Sequence, residues 1–182
     1  LYHLPSVIDD IEEGITDVIR GEDHISNTAV HIQIFESLNA LIPSFGHHAF
    51  LTDQEGKGFG KRVGSLSIKK IKDYGFENIT LLNYLLSVGT SRNLSSEKNL
   101  DTLINTFNIK DLAQSSPKFS LKILETLNKK ILQSFEFFEV QQKFIDMQLL
   151  DTTNDFWSFV RYNINYFLET LNWWDIIHSK EI

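Results

Sequence analysis

Two hydrophobic patterns divide the chain. Up to about residue 62, apolar positions come in short bursts between glycines. Beyond it they recur every three or four residues. In the first stretch, Val18-Ile19 is an apolar pair of β type, entered from Gly14 and left at Gly21, and predicts a short strand. Ser26-Asn27-Thr28 follows with side chains suited to an N-cap. Val30, Ile34 and Leu38, with Ile32 and Phe35, then recur at helical spacing. Pro43 marks the end of that helix, and residues 45–52 predict a second strand. Gly56, Gly58 and Gly60 follow in a basic loop.

After Arg62 the pattern is helical throughout. Ser65 or Ser67 caps a helix running through Lys72, which Gly75 ends. Residues 80–88 predict a helix closed by Gly89, and residues 101–107 a short amphipathic one. Pro117 opens a new unit in which Leu121, Leu124, Leu127, Asn128, Ile131 and Leu132 form a stripe. Residues 135–150 and 155–177 read as further helices. The expected architecture is an α/β part over residues 1–62 followed by an all-α region over residues 63–182, mostly α overall. No internal repeat or low-complexity segment interrupts it.

Composition adds exclusions. Hydrophobic residues make up 42% and charged residues 23% of the 182, as in ordinary globular proteins. Apolar runs such as residues 81–86 fall far short of a membrane span. Leu1-Tyr2-His3-Leu4-Pro5 has no basic stretch of the kind that opens a signal peptide, and a first residue other than Met leads us to expect sequence upstream. With no cysteine, disulfides and thiolate metal sites are excluded.

The net charge of −7 argues against unspecific adhesion to nucleic acid. It is unevenly spread. Residues 1–62 hold ten acids against four bases. Residues 57–72 hold six bases (Lys57, Lys61, Arg62, Lys69, Lys70, Lys72) and no acid. One positive segment in an acidic chain indicates a local anion site and not a DNA-binding surface.

Two segments are candidates for chemistry. In the first, Ile19-Arg20-Gly21-Glu22-Asp23-His24, a strand delivers Arg20 to its carboxyl end, where ligands bind in open α/β sheets. The guanidinium fork suits a carboxylate or phosphate, and Asp23 and His24 stand at a helix entry facing a ribose or base. A plainer reading pairs Arg20 with Glu22 on the surface and leaves Ser26 or Asn27 as a cap. The second segment is Gly56-Lys57-Gly58-Phe59-Gly60-Lys61-Arg62, whose glycines and bases suit phosphate. It is neither a Walker loop nor a dinucleotide fingerprint: Glu55 stands where the first Walker glycine belongs, and Lys61 where the fingerprint's last glycine does. The plainer reading is a surface loop. The aromatic residues from Phe135 to Trp174 fall at helical spacing, which favours core packing over base stacking. His3, His31 and His178 show no ligand-pair spacing.

Taken in order, four stretches resemble the glutamyl-tRNA synthetase family, in its alphaproteobacterial branch. YHLPSVIDDIEEGITDVIRGEDHISNTAVHIQIFESL is similar to the opening of the second half of that family's Rossmann-like nucleotide-binding core. HHAFLTDQEGKGFGKRVGSLSI is similar to its class I signature loop, PKFSLKILETLNKKIL to its stem-contact region, and FWSFVRYNINYFLETLNWWDII to the helices beyond. The resemblance implies a ligase that activates glutamate with ATP, accompanied by Mg²⁺, and transfers it to tRNA. No tightly bound cofactor, DNA or membrane is implied, and the expected setting is a monomer in the cytoplasm. By motif position, Tyr2, Ser6 and Arg20 match glutamate contacts. Asp23, His24, Gly58, Gly60 and Lys61 match the ATP site, and Lys61 with Arg62 the signature-loop bases, with Lys57 a further base nearby.

The sequence also departs from the family. Gly58 replaces the signature's first Lys, and Gly60 replaces its Ser, which removes a hydroxyl donor. Ser6 stands where many relatives have an amide. The family's His-Ile-Gly-His signature does not occur; Phe45-Gly46-His47-His48 has the wrong order, and both its histidines read as strand residues. The first half of the core is therefore expected upstream and an anticodon-reading domain further on, with this stretch inactive by itself. Two other readings remain. A relative that glutamylates a tRNA base shares the core but stops soon after the signature loop. A non-catalytic helical module that binds RNA or protein would suit a degenerate paralogue.

Overall fold

The computed structural model describes residues 2–58, 66–90 and 92–179. The fold is mostly helical with one small sheet. Helix α1 (His3–Glu12) precedes strand β1 (Asp17–Gly21), a single 3-10 turn (Glu22–His24), helix α2 (Ile25–Ser37) and strand β2 (Ser44–His48). The strands are parallel, with Val18 beside Phe45 and Arg20 beside His47, so β1-α2-β2 is one βαβ unit. Helices α3 (Ile68–Asp73), α4 (Asn78–Val88), α5 (Leu100–Thr106), α6 (Leu121–Ser134), α7 (Phe137–Asp146), α8 (Asn154–Val160) and α9 (Thr170–His178) follow among the described residues, with 3-10 turns at Ile109–Asp111 and Phe167–Glu169. The division expected at Arg62 and Val63 lies outside the described residues, as does Ser65; Ser67 is the residue that caps α3, accepting from the Lys70 amide.

Of the predicted stripe of α6, Leu124, Leu127, Asn128, Ile131 and Leu132 are all at or below 1% exposure, and Leu121 at its start is half-buried. Leu124, Leu127 and Ile131 pack with Ile71, Phe76, Tyr84 and Phe119. Leu132 joins a second cluster with Val140, Phe144, Trp157, Val160, Ile164 and Phe167. One helix thus ties two cores together. The aromatic cluster is largely core, since Phe144, Phe156, Trp157 and Phe167 are buried, whereas Phe138, Phe159 and Tyr162 are exposed.

The chain departs from the sequence reading at four places. Residues 3–12 form α1, which the reading did not assign. The second strand stops at His48 and not at residue 52. Helix α2 begins at Ile25, and no side chain caps it. Its buried face is Thr28, His31 and Phe35, whereas Val30 and Leu38 are 40% and 47% exposed. Finally, residues 155–177 are not one helix. α8 ends at Val160, where the Asn163 side chain donates to the Phe159 carbonyl. The Asn165 amide donates to Glu169 Oε2 and its carbonyl accepts from Asn128, so local side-chain bonds compete with the helix ladder.

Thr52, just after β2, is one of the residues that join this part of the chain to the helices. The Thr52 amide donates to Pro117 O at 2.9 Å, and its carbonyl accepts from the Phe119 amide at 2.7 Å. These bonds seat the start of the glycine loop beside the entry to α6.

Candidate active site

The carboxyl end of β1 collects the polar residues that matter. Arg20 leaves the strand with Nη2 donating to Thr28 Oγ1 at 2.5 Å and its guanidinium carbon 5.3 Å from the centre of the Phe45 ring. It does not pair with Glu22: that carboxylate accepts from the Phe50 amide at 3.3 Å and the Ser116 hydroxyl at 3.5 Å. Arg20 Nε is buried with no hydrogen-bond partner. Gly21 follows with ordinary extended backbone. A Cβ there would stand 2.7 Å from Asp23 Oδ1 and 3.4 Å from the Phe50 ring, so its smallness lets both press on the strand end. Asp23 Oδ2 lies 3.6 Å from His24 Nε2, both side chains well exposed.

Helix α2 gathers the other candidates because residues 24, 27, 28 and 31 fall on one face. Asn27 Nδ2 donates to the Tyr2 hydroxyl at 2.8 Å and lies 3.0 Å from His24 Nδ1. Tyr2 and His24 thereby share one amide. Ser6 sits one turn after Tyr2 on α1, half-buried. Thr28 Oγ1 contacts the His24 carbonyl at 3.1 Å and His47 Nε2 at 2.8 Å. Tyr2, Arg20, Asp23 and His24 therefore surround the amino-terminal turns of α2, with Asn27 and Thr28 as the connectors.

His31, 2% exposed, lies beneath this group with Nε2 3.0 Å from His3 Nδ1. Burial first, then the Arg20 charge and His3, lower its pKa below the ordinary 6.5. His31 therefore stays neutral where the unfolded chain would take up a proton. Its folded value is the lower one, so the unfolded state binds more protons as pH falls through about 6.5, and native stability declines there. Urea unfolding followed against pH is expected to show that decline, and His31→Gln to flatten it. Equal slopes for the two proteins would exclude His31 as its source.

The glycine loop begins as a tight turn. Asp53 Oδ1 accepts from the Glu55 and Lys57 amides at 2.9 and 2.8 Å, and the Asp53 carbonyl accepts from the Gly56 amide, where φ is +83°. Amides 55–57 are thus used within the turn, and Lys57 Nζ pairs with Glu55 in solvent. Gly58 has open space where a Cβ would stand. Gly60, Lys61 and Arg62 lie outside the described residues. Among the described residues, no three His, Asp or Glu side chains converge to hold a metal ion.

Asn27, Thr28, His31 and His47 were not picked out as site residues from the sequence. The signal available was the spacing of His24, Asn27, Thr28 and His31 along one helix. Their polarity on a buried face reads as functional only once β1 and α1 are seen to pack there.

Comparison with known proteins gives the chain a family. The family described as tRNA synthetases class I (E and Q), catalytic domain, matches residues 1–129. Glutamate–tRNA ligase 2 of Bartonella henselae is 38% identical over 182 residues, all of this chain and 40% of that protein. Glutamate–tRNA ligase 1 of Wolbachia sp. subsp. Brugia malayi is 41% identical over 179 residues, 98% of this chain and 40% of that protein. The chain thus spans about 40% of the length of these curated relatives. The crystal structure of a glutamate tRNA ligase from Elizabethkingia meningosepticum in complex with its amino acid superposes on the whole chain and 41% of that one. Its TM-score is 0.78 and its identity 19%, a likeness of fold. With the family match covering most of its residues, this chain belongs to the class I tRNA synthetases of the glutamate and glutamine group, its residues 1–129 matching their catalytic domain.

Proposed function

We propose that the chain is a section of a glutamate–tRNA ligase. In this reading residues 1–62 are the second half of the nucleotide-binding core and residues 63–182 a helical region that contacts the tRNA stem. The observation that carries it is Arg20. Its guanidinium is held at a strand's carboxyl end by Thr28 and Phe45, Nε is buried without a partner, and Asn27, next to Thr28 on α2, contacts Tyr2 and His24. Such a fork suits the carboxylate of an amino acid. Tyr2, Ser6 and Arg20 bind glutamate; Asp23, His24, Gly58, Gly60 and Lys61 bind ATP; Lys61 and Arg62 steady the phosphates as charge develops.

The reaction has two displacements. The glutamate carboxylate attacks the α-phosphate of ATP and pyrophosphate leaves. The terminal ribose hydroxyl of tRNA then attacks the glutamyl carbonyl and AMP leaves. Holding partners in line and stabilising anionic charge supply most of the rate. Mg²⁺ would travel with the triphosphate, held mainly by its phosphate oxygens. We place the protein in the cytoplasm as a monomer. Among the described residues no helix is long and apolar enough to cross a membrane.

Glutamate-dependent pyrophosphate exchange by the full-length protein tests the reading. Arg20→Ala is expected to raise KM for glutamate about tenfold to a hundredfold, the loss of a charge-assisted hydrogen bond, with KM for ATP little changed. An unaltered glutamate KM would remove Arg20 from the substrate site.

A further inference from the structure

The hydroxyl of Thr28 has more neighbours than a buried helix threonine needs, and their chemistry fixes its proton. Oγ1 lies 2.5 Å from Arg20 Nη2, 3.1 Å from the His24 carbonyl and 2.8 Å from His47 Nε2. A hydroxyl offers one proton and two lone pairs. The guanidinium can only donate, and the carbonyl can only accept. The Thr28 proton therefore goes to His24 O. One lone pair takes the Arg20 N–H, and the other takes a hydrogen that His47 carries on Nε2. All three bonds are satisfied only in this arrangement, and Thr28 itself is 7% exposed. His47 is also the residue registered against Arg20 across the sheet, so both strands end on the same oxygen.

We infer that Thr28, with His47 behind it, is a positioning residue that sets the plane of the Arg20 guanidinium for the amino-acid carboxylate. The inference rests on the glutamate-site reading above. An arginine side chain held only by its strand samples several rotamers, and locking it beforehand removes that cost from substrate binding. Thr28 does this at Nη2, Phe45 supports the flat face, and Nε is left facing its buried surroundings unpaired. The effect belongs on glutamate and not on ATP.

The test uses pyrophosphate exchange by the full-length protein with glutamate and ATP varied separately. Thr28→Val keeps the shape and removes the hydroxyl; it is expected to raise KM for glutamate roughly tenfold while KM for ATP stays within about twofold. Thr28→Ser is expected to recover most of the loss. His47→Leu is expected to follow Thr28→Val in direction. His47→Gln, whose amide N–H replaces the Nε2 hydrogen, is expected to recover it. If Thr28→Val does not fold, the His47 pair decides by the same criterion. Equal rises in both KM values, or no rise with either Thr28→Val or His47→Leu, would overturn the inference. Arg20→Ala separates the two levels. If it raises glutamate KM and Thr28→Val does not, only the positioning role fails; if Arg20→Ala has no effect, the glutamate-site reading fails first.

Discussion

Replacing Trp157 by alanine is expected to lower the unfolding free energy of the chain by about 3–5 kcal/mol, the usual cost of deleting a fully buried aromatic. Trp157 has no exposed surface and stands at the centre of the cluster built by α6, α7 and α8. Its ring lies 5.9 Å from that of Phe144 and 5.7 Å from that of Phe167. Alanine leaves a cavity that three helices cannot close without moving. The polar part of the side chain contributes less. Trp157 Nε1 donates to the Phe135 carbonyl at 2.8 Å, but Arg161 Nη1 donates to the same carbonyl at 2.9 Å. Trp157→Phe therefore leaves that acceptor satisfied and is expected to cost about 1 kcal/mol. Urea unfolding of both variants checks the ordering. A phenylalanine variant as unstable as the alanine one would mean that the hydrogen bond, and not the packing, holds this core. With total stabilities of about 5–15 kcal/mol in single domains, the alanine variant stands near the limit of folding.

How legible this was in the sequence varies with the physics involved. The stripe of α6 was read residue by residue because one face of an isolated amphipathic helix is decided by spacing alone, and burial follows it. The pair Val18-Ile19 marked β1 for a similar local reason. Helix α1 carries Leu4, Val7, Ile8 and Ile11 at helical spacing. Only Val7 among these is buried, and the helix is settled by its packing on α2. In helix α2, of the apolar residues at helical spacing, Val30, Ile32, Ile34, Phe35 and Leu38, it is Phe35 that is buried, and Thr28 and His31 make up the rest of the inner face. Thr28 and Nε2 of His31 find partners on α1, β1 and β2, which no local window contains, while His31 Nδ1 stays unpaired. The same long-range pairing explains the site. Tyr2, Arg20 and His24 are expected at the site from motif position, whereas the contacts that Asn27, Thr28 and His47 make around them depend on segments only the fold brings together. The signature-loop bases Lys61 and Arg62 rest on motif position alone.

Asn128→Leu is the second substitution with a large expected cost, about 3 kcal/mol, and its cause is polar. Asn128 is fully buried in α6 within an otherwise apolar stripe. Its Oδ1 accepts from the Glu77 amide and the Thr80 hydroxyl, both at 2.9 Å, and its Nδ2 donates to the Asn165 carbonyl at 2.6 Å. One amide thus joins the start of α4, the middle of α6 and the turn after α8. Leucine fills nearly the same volume, so packing is preserved. Three groups lose their partner, and the Thr80 hydroxyl, fully buried, carries the desolvation cost of an unsatisfied atom. Asn128→Asp isolates the donor side. Both accepted bonds persist, but a carboxylate oxygen then faces the Asn165 carbonyl, and burial with that repulsion raises the acid's pKa in the folded state. The variant should be destabilised at neutral pH. The deficit should shrink as pH falls, because the folded carboxyl protonates before the unfolded one and regains an O–H to donate. Urea midpoints for the three proteins at neutral and mildly acid pH provide the comparison. If leucine is tolerated within about 1 kcal/mol, the idea that this amide fastens the helical region together is wrong, and the stripe of α6 is held by its leucines and isoleucine alone.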